Sequence, residues 1–216
     1  MKSNLIFIDS SIEQSNIVIK SINDKTNYVL IEPNDSYNDL IKKVEVFDEK
    51  SYNNVALFNH SNESDEYHMI KNNICNLNNY ESWNDFFNFW KTIKEKYNVT
   101  NIDLLACDIY SNKKWKVILD KMQNNVGCLI RSSDNKTGNK RHNGDWILES
   151  AGVNVKDVYF NNNIKEFTKL LYLSSYPHWW GNRYDEDDDD DVNFVQEETM
   201  NNGRFLATWG WDNDVY

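Results

Sequence analysis

Two residues whose side chains can do chemistry together, His60 and Cys107, each follow an apolar run in the sequence. The first run is VALFN at 55–59 and the second is IDLLA at 102–106. Such runs predict buried strands, and in an open α/β sheet ligands gather beyond the carboxyl ends of the strands. An imidazole can take the proton of a thiol and leave a nucleophilic thiolate. If the two strands are neighbours, the sequence therefore predicts a cysteine-hydrolase site.

The elements that position this pair follow an alternating pattern of strands and helices. Apolar runs predict four further strands, at 5–8, 28–31, 126–130 and 145–149. Apolar residues at helical spacing predict helices between the strands, and Ser36 is the expected N-cap of the second helix. Two short alternating segments within 66–77 predict a hairpin, and 164–173 fits either a helix or a strand. Repeated βα units predict an α/β fold with a mostly parallel six-stranded sheet and helices on both faces.

The composition changes near residue 176, so we expect an α/β domain over 1–175 and an irregular C-terminal tail over 176–216. The tail contains the acidic run DEDDDDD at 185–191. Aromatic anchors beside carboxylates are typical of segments that dock on a basic partner. The alternatives are a merely solvated acidic run and a segment that folds back over the strand ends as an autoinhibitor. The candidate partner-binding residues are Trp179, Trp180, Trp209 and Trp211.

Overall composition excludes several classes of function. The chain has 216 residues and a net charge of −11, much of it in the acidic run, which argues against a nucleic-acid partner. No apolar stretch approaches the roughly 18 residues of a membrane span, and no signal peptide is recognisable. Its three cysteines form no CxxC pair. We therefore expect no metal, no cofactor, no disulfide framework and no membrane insertion, and a location in the cytoplasm or another reducing compartment. The oligomeric state stays open.

A series of short motifs gives the chain a resemblance to a known family. In order, they are FIDS at 7–10, LFNH at 57–60, LLACD at 104–108, SSDNKTG at 132–138 and GDWILE at 144–149. Residues 4–150 resemble a bacterial domain of unknown function that occurs near the start of very large, repeat-containing surface proteins. The interval between His60 and Cys107 is also similar to that in caspase-like peptidases, which is about 50 residues.

The resemblance implies a caspase-like three-layer sandwich in which Cys107 is the nucleophile and His60 the base or proton shuttle. Backbone amides near 60–61 and 107 would hold the oxyanion. The resemblance also implies that residues after the fifth strand lie beside the pocket for the substrate side chain. The pocket candidates are Ser61, Asp108, Arg131, Ser132, Ser133 and Asp134.

Two of these pocket candidates have an alternative role. Asp108 either caps the helix that carries Trp115 or influences the thiol, and capping is the expected role. Arg131 either forms a salt bridge, which we favour, or recognises an acidic substrate residue.

Two functions from different classes fit these observations. The favoured one is a caspase-like module without catalytic activity, which binds a protein partner or has a structural role through its aromatic and acidic tail. The alternative is a cysteine peptidase that uses His60 and Cys107 on a peptide substrate. Ser61, which stands where relatives usually have glycine, favours the first function together with the tail. The retained histidine and cysteine favour the second.

Overall fold

The computed structural model describes residues 2–61 and 65–172, which are organised around a parallel sheet of five strands. The strands in this part of the chain are β1 (Asn4–Asp9), β2 (Thr26–Ile31), β3 (Asn54–Phe58), β4 (Glu66–Ile70), β5 (Asn73–Asn76), β6 (Asn101–Leu105), β7 (Leu129–Ser132), β8 (Ile147–Leu148) and β9 (Val153–Asn154). The sheet has the order β2-β1-β3-β6-β7, and every neighbouring pair in it is parallel.

Helices cover both faces of the sheet, as the βα pattern predicts. They are α1 (Ser15–Lys20), α2 (Tyr37–Glu45), α3 (Asn84–Tyr97), α4 (Lys113–Val126) and α5 (Val155–Tyr159). The apolar residues of α2, α3 and α4 form a core on one face, and those of α1 and α5 form a core on the other. The expected N-cap of α2 is confirmed, because the Ser36 side chain accepts the Asp39 amide in a capping box.

The central strands are buried on both faces, which explains why they read as continuous apolar runs. In β1, Leu5 and Phe7 face one core while Ile6 and Ile8 face the other, and all four side chains are fully buried. A strand with only one buried face would alternate apolar and polar residues instead. The positions of the central strands were therefore predictable from sequence.

Side chains protect both edges of the sheet. The ammonium groups of Lys2 and Lys43 each donate to a carbonyl of β2, at 3.0 Å. On β7, Gln123 Oε1 and Ser150 Oγ each accept a backbone N–H, at 3.2 and 2.9 Å. Because these outer backbone groups are already paired, neither edge presents a complete row for another strand to join.

The segment 145–149, expected as a sixth strand, does not join this sheet. Within it, Ile147–Leu148 pairs with Val153–Asn154 in a separate antiparallel hairpin. The backbone of Asp145 is already bonded to the loop that follows β7. Its N–H donates to the Lys136 carbonyl at 2.9 Å, and its carbonyl accepts the Gly138 N–H at 2.8 Å. Among the described residues the sheet therefore ends at β7.

Other boundaries differ from the sequence-based expectation. The expected strand at 126–130 begins later, because Val126 still belongs to α4 and Gly127, at φ 75°, ends that helix. The hairpin within 66–77 is confirmed as β4 and β5. The ambiguous stretch 164–173 is described up to residue 172, where it consists of the end of a 3₁₀ turn at Asn162–Glu166 and a following segment with isolated β-bridges at Leu170 and Tyr172.

Two expectations concern the region that follows residue 172. The boundary at 175/176 and the tail with Trp179, Trp180, Trp209 and Trp211 lie outside the described residues. Within 2–61 and 65–172, no helix combines the length and apolar character that a membrane crossing needs.

Candidate functional site

His60 and Cys107 lie at the same end of the sheet because β3 and β6 are neighbours. Phe58 and Leu105, near the ends of these strands, are register partners, and Asn59 N–H continues the pairing by donating to the Leu105 carbonyl at 3.3 Å. The buried Ser61 hydroxyl then donates to the Cys107 carbonyl at 2.6 Å. The two strand ends are thus fastened together, as a site shared between them requires.

A third segment of the chain lies across this end of the sheet. We call residues 169–172 the closing segment. The carbonyl of Leu171 accepts the N–H of Ser61 at 3.2 Å and the N–H of Cys107 at 3.4 Å. On the other side, Leu171 N–H donates to the Thr137 carbonyl at 2.9 Å. The closing segment is therefore held by backbone hydrogen bonds to both strand ends and to the loop that follows β7.

Two glycines of the loop after β7 let the closing segment approach closely. Gly138 has φ 132°, and a Cβ there would lie 2.5 Å from the Lys169 carbonyl oxygen and 3.0 Å from Leu170 Cα. A Cβ on Gly144 would lie 2.6 Å from Leu170 Cδ2. Any side chain at 138 would meet backbone atoms, which cannot move aside as a side chain can. The position of the closing segment therefore depends on glycine at residue 138.

The Cys107 thiol is buried and bonded to one backbone residue. It accepts the Thr137 N–H at 3.2 Å and donates to the Thr137 carbonyl at 3.6 Å. Burial raises the pKa of Cys107 to about 12, although the Thr137 N–H and the nearby Leu171 backbone oppose this rise. The sulfur is therefore a protonated thiol at neutral pH in this conformation, and it is a weak nucleophile.

The His60 imidazole is kept neutral by the same environment. Burial lowers the pKa of His60 to about 4, and the nearby Leu171 backbone opposes this decrease. Its Nδ1 is buried and has no hydrogen-bond partner among residues 2–61 and 65–172. A neutral imidazole is the form that can accept a proton. Both candidate catalytic side chains are thus uncharged, and the amides of Cys107 and of Ser61, the residue after His60, hold the same carbonyl, that of Leu171.

One family model matches most of the chain. The family model described as a domain of unknown function, DUF4347, matches residues 5–171. The chain belongs to this family. The matched region contains His60 and Cys107 and ends at Leu171, the residue whose carbonyl is bound at the site. No curated protein and no solved structure matches the chain.

In this DUF4347 domain the residues that follow β7 form a hydrogen-bonded loop near Cys107. Glu149 Oε2 accepts the Ser133 hydroxyl at 2.9 Å and the Asp134 amide at 3.0 Å. The Ser133 carbonyl accepts the Tyr110 amide at 2.7 Å, which joins this loop to the one that follows β6. Ser132 and Ser133 are fully buried, whereas Asp134 is exposed. The two serines therefore shape the loop, and Asp134 belongs to its outer surface.

Asp108 does not cap α4, contrary to the expectation. Asn112 is the N-cap, and its side chain accepts the amides of Lys114 and Trp115. Asp108 lies earlier, in the left-handed region at φ 56°. Partial burial raises the pKa of its carboxyl, Lys136 opposes this rise, and Asp134 adds to it. These three charged side chains form the rim of the loops beside the site.

Arg131 forms a salt bridge, which is the favoured of its two expected roles. Its guanidinium makes a two-point contact with the buried Asp103, which also accepts the Tyr159 hydroxyl at 2.6 Å. A further bond joins Arg131 to Asn54 Oδ1 at 2.9 Å. Although burial disfavours its charge, the hydrogen bonds to Asp103 raise the pKa of Arg131 above its ordinary value. The guanidinium is thus bound to Asp103 and Asn54 within the protein and does not belong to a substrate pocket.

Sequence reasoning missed the residue at the centre of the site, Leu171. Its segment had no clear helix or strand pattern, and nothing local indicated that it returns to the ends of β3 and β6. Thr137 and Gly138 belong to a motif that carried the family resemblance, and this was the available signal. No group of three or more histidine, cysteine, aspartate or glutamate side chains is placed to hold a metal within the described ranges.

Proposed function

We propose that this domain is a caspase-like cysteine peptidase in which Cys107 is the nucleophile and His60 carries the proton. The amides of Ser61 and Cys107 would stabilise the oxyanion. One observation carries the proposal: both amides donate to a single carbonyl oxygen, that of Leu171. Pairs of backbone N–H groups aimed at one carbonyl are how acyl-transfer enzymes stabilise the charge of the tetrahedral intermediate.

The arrangement accounts for each step of peptide hydrolysis. A substrate main chain would take the place of the closing segment, with its carbonyl on the two amides. Neutral His60 would receive the thiol proton of Cys107 as the sulfur attacks, and would return that proton to the leaving amine. The Thr137 N–H, already 3.2 Å from the sulfur, would stabilise the thiolate as it forms.

The closing segment keeps this site inactive in the present conformation. The thiol proton is directed to the Thr137 carbonyl, and Leu171 occupies the place of a substrate carbonyl. Because burial is the main cause of the raised pKa of Cys107, displacement of the segment would admit water and lower that pKa. We therefore propose a latent site that becomes reactive when residues 169–172 move.

The fold alone does not choose this function. Counting only its main-sheet strands, the order 2-1-3-4-5 is shared by doubly wound proteins of unrelated activity. The proposal depends instead on the chemistry at two adjacent strand ends, where an imidazole, a thiol and two amides surround one peptide unit. The caspase-like relationship is part of the proposal and follows the sequence resemblance.

A second candidate function is a module without catalytic activity that binds an extended protein segment. The observation that favours it is that Cys107 is buried and its polar groups are hydrogen-bonded while the closing segment is in place. The Cys107 thiol is 1% exposed, Thr137 supplies its hydrogen-bond partners, and Ser61 holds the Cys107 carbonyl. The partner contacts proposed for the tail tryptophans would belong to this function.

The rate of Cys107 alkylation in an opened variant separates the two candidates. Gly138→Ala should displace the closing segment, because the new Cβ would meet the Lys169 carbonyl. We expect iodoacetamide to label Cys107 in this variant roughly tenfold faster than in the wild type at about pH 7, as judged by mass spectrometry. Adding His60→Ala should remove most of that gain, because the thiol loses its proton acceptor.

Gly127→Ala is the matched control for the opened variant. Gly127 also has a positive φ, of 75°, but nothing lies within 4 Å of the position that a Cβ would take there. Alanine at 127 therefore introduces the same kind of strain without touching the site. Cys75 and Cys128 serve as internal reference thiols. A Cys107 that reacts no faster than they do in Gly138→Ala, or that is indifferent to His60, would contradict the peptidase and support the binding module.

A further inference from the structure

The closing segment is bound in the manner of an extended peptide substrate. Backbone bridges lie on both sides of the Leu171 carbonyl, one between Gly138 and Leu170 and one between Ser61 and Tyr172. Strand-like pairing of this kind is a general way for proteins to hold a peptide main chain, with the side chains read by pockets. The segment therefore occupies a groove that is built for main-chain recognition.

We infer that the peptide bond between Leu171 and Tyr172 is a substrate of this site, so that the chain cleaves itself there. The inference rests on the proposed peptidase function and names its first substrate. The Leu171 carbonyl accepts the amides of Ser61 and Cys107, at 3.2 and 3.4 Å. The two oxyanion donors thus hold one peptide unit, and they belong to the nucleophile itself and to the residue that follows the base.

The Leu171 side chain indicates which type of residue the site accepts on the N-terminal side of the cleaved bond. It is fully buried in the apolar core that also contains Phe58, Leu105 and Leu148. A charged side chain placed there would lose its hydration without gaining a partner of opposite charge from these residues. The substrate class is therefore an extended peptide with an aliphatic residue, of about the size of leucine, at the position of the captured carbonyl.

The reaction balances with one water molecule and no other reactant. The Cys107 thiol passes its proton to His60, and the sulfur forms a bond to the Leu171 carbonyl carbon while the oxygen takes the negative charge. The C–N bond to Tyr172 then breaks, and the leaving amine takes the proton from His60. Water, losing a proton to His60, hydrolyses the thioester. The products are a Leu171 carboxylate, a new amino terminus at Tyr172 and the restored thiol.

Self-cleavage in the closed state is expected to be slow and intramolecular. The Cys107 sulfur is protonated and buried away from water. Reaction therefore requires the closing segment to move briefly, so that water enters and the thiolate forms. Because nucleophile and substrate belong to one chain, the rate should be first order and independent of protein concentration. It should also rise with pH, since the thiolate fraction of Cys107 rises.

Intact mass spectrometry of the purified full chain tests the inference. The protein is incubated with a reductant at about pH 7 to 9, as wild type and as Cys107→Ala. We expect the wild type to yield two fragments, 1–171 and 172–216, at a rate that roughly tenfold dilution leaves unchanged. Cys107→Ala should stay intact, with circular dichroism confirming that it is folded. His60→Gln should slow the cleavage.

The outcomes distinguish failure of this inference from failure of the peptidase proposal. An intact wild type, together with His60-dependent alkylation of Cys107 in Gly138→Ala, would overturn self-cleavage and leave the peptidase standing. An intact wild type without such alkylation would contradict both. Cleavage at another bond, or cleavage that persists in Cys107→Ala, would also overturn the assignment of the Leu171–Tyr172 bond.

Discussion

Asp103 lies within β6 and Cys107 lies two residues beyond its end, and both side chains are buried. The two differ in whether the buried group is charged and in how it is paired. Asp103 is paired with Arg131 and also accepts the Tyr159 hydroxyl. The Cys107 thiol is hydrogen-bonded to the backbone of Thr137, and burial keeps it protonated. One position of the strand thus holds a compensated charge, and the other holds a neutral group that becomes charged only if its surroundings change.

This difference in charge and pairing gives Asp103 a structural role and leaves Cys107 suited to a chemical one. A buried ion pair is costly to disturb, because removal of one partner leaves the other charge unpaired. A neutral thiol and a neutral imidazole at adjacent strand ends carry no charge that folding has already compensated, so each is free to change its protonation state when water and substrate enter. The Asp103–Arg131 pair therefore joins β6 to β7 within the sheet, whereas His60 and Cys107 at the strand ends are the groups that can react.

The largest expected effect comes from breaking the compensated charge. Asp103→Asn should lower the free energy of unfolding by about 3–5 kcal/mol, because the Arg131 guanidinium is left buried without a counter-charge. Urea denaturation at neutral pH measures this change. Asp120→Asn, at an exposed position of α4, is the control and should change the stability little. A loss below about 1 kcal/mol for Asp103→Asn would remove the contrast between the two positions.

A smaller effect is expected from the neutral imidazole. The pKa of His60 is lowered from 6.5 to about 4 in the folded state, so below pH 6.5 the unfolded chain binds a proton that the folded chain does not. Stability from this group is complete above 6.5 and is lost as the pH falls toward 4, by up to about 3 kcal/mol. Urea denaturation of the wild type and His60→Gln across this range measures the difference.

The exposed His142 provides the matched control for this measurement. His142→Gln should leave the pH dependence of stability as in the wild type, whereas His60→Gln should flatten it. The decisive quantity is the difference between the curves of the variants and the wild type. Parallel curves for wild type and His60→Gln would show that the imidazole is not held neutral.

Local patterns were sufficient to predict most elements of the sheet. β1, β2, β3 and β6 read as apolar runs because packing from both faces requires apolar side chains at successive positions. Ser36 indicated the start of α2, since a capping side chain acts within its own turn. The sequence left open whether the strands before His60 and Cys107 are neighbours, and the structure places β3 beside β6.

The closing segment could not be predicted because its structure depends on distant backbone partners. Leu171 is bound by Ser61, Cys107 and Thr137, none of which is near it in sequence. The failed expectation for Asp108 has a related cause. Asn112 takes the capping role because the chain makes an extra turn after β6, and nothing in the residue types alone distinguishes the two acceptors.

Amide hydrogen exchange tests most directly whether the Ser61 and Cys107 amides hold the chain's own Leu171 carbonyl. By NMR, both amides should exchange roughly a hundredfold or more slower than unprotected amides in the wild type. Both should lose protection together in Gly138→Ala, while amides within β6 stay protected. Rapid exchange of either amide in the wild type, or unchanged protection in Gly138→Ala, would contradict the account of a site closed by residues 169–172.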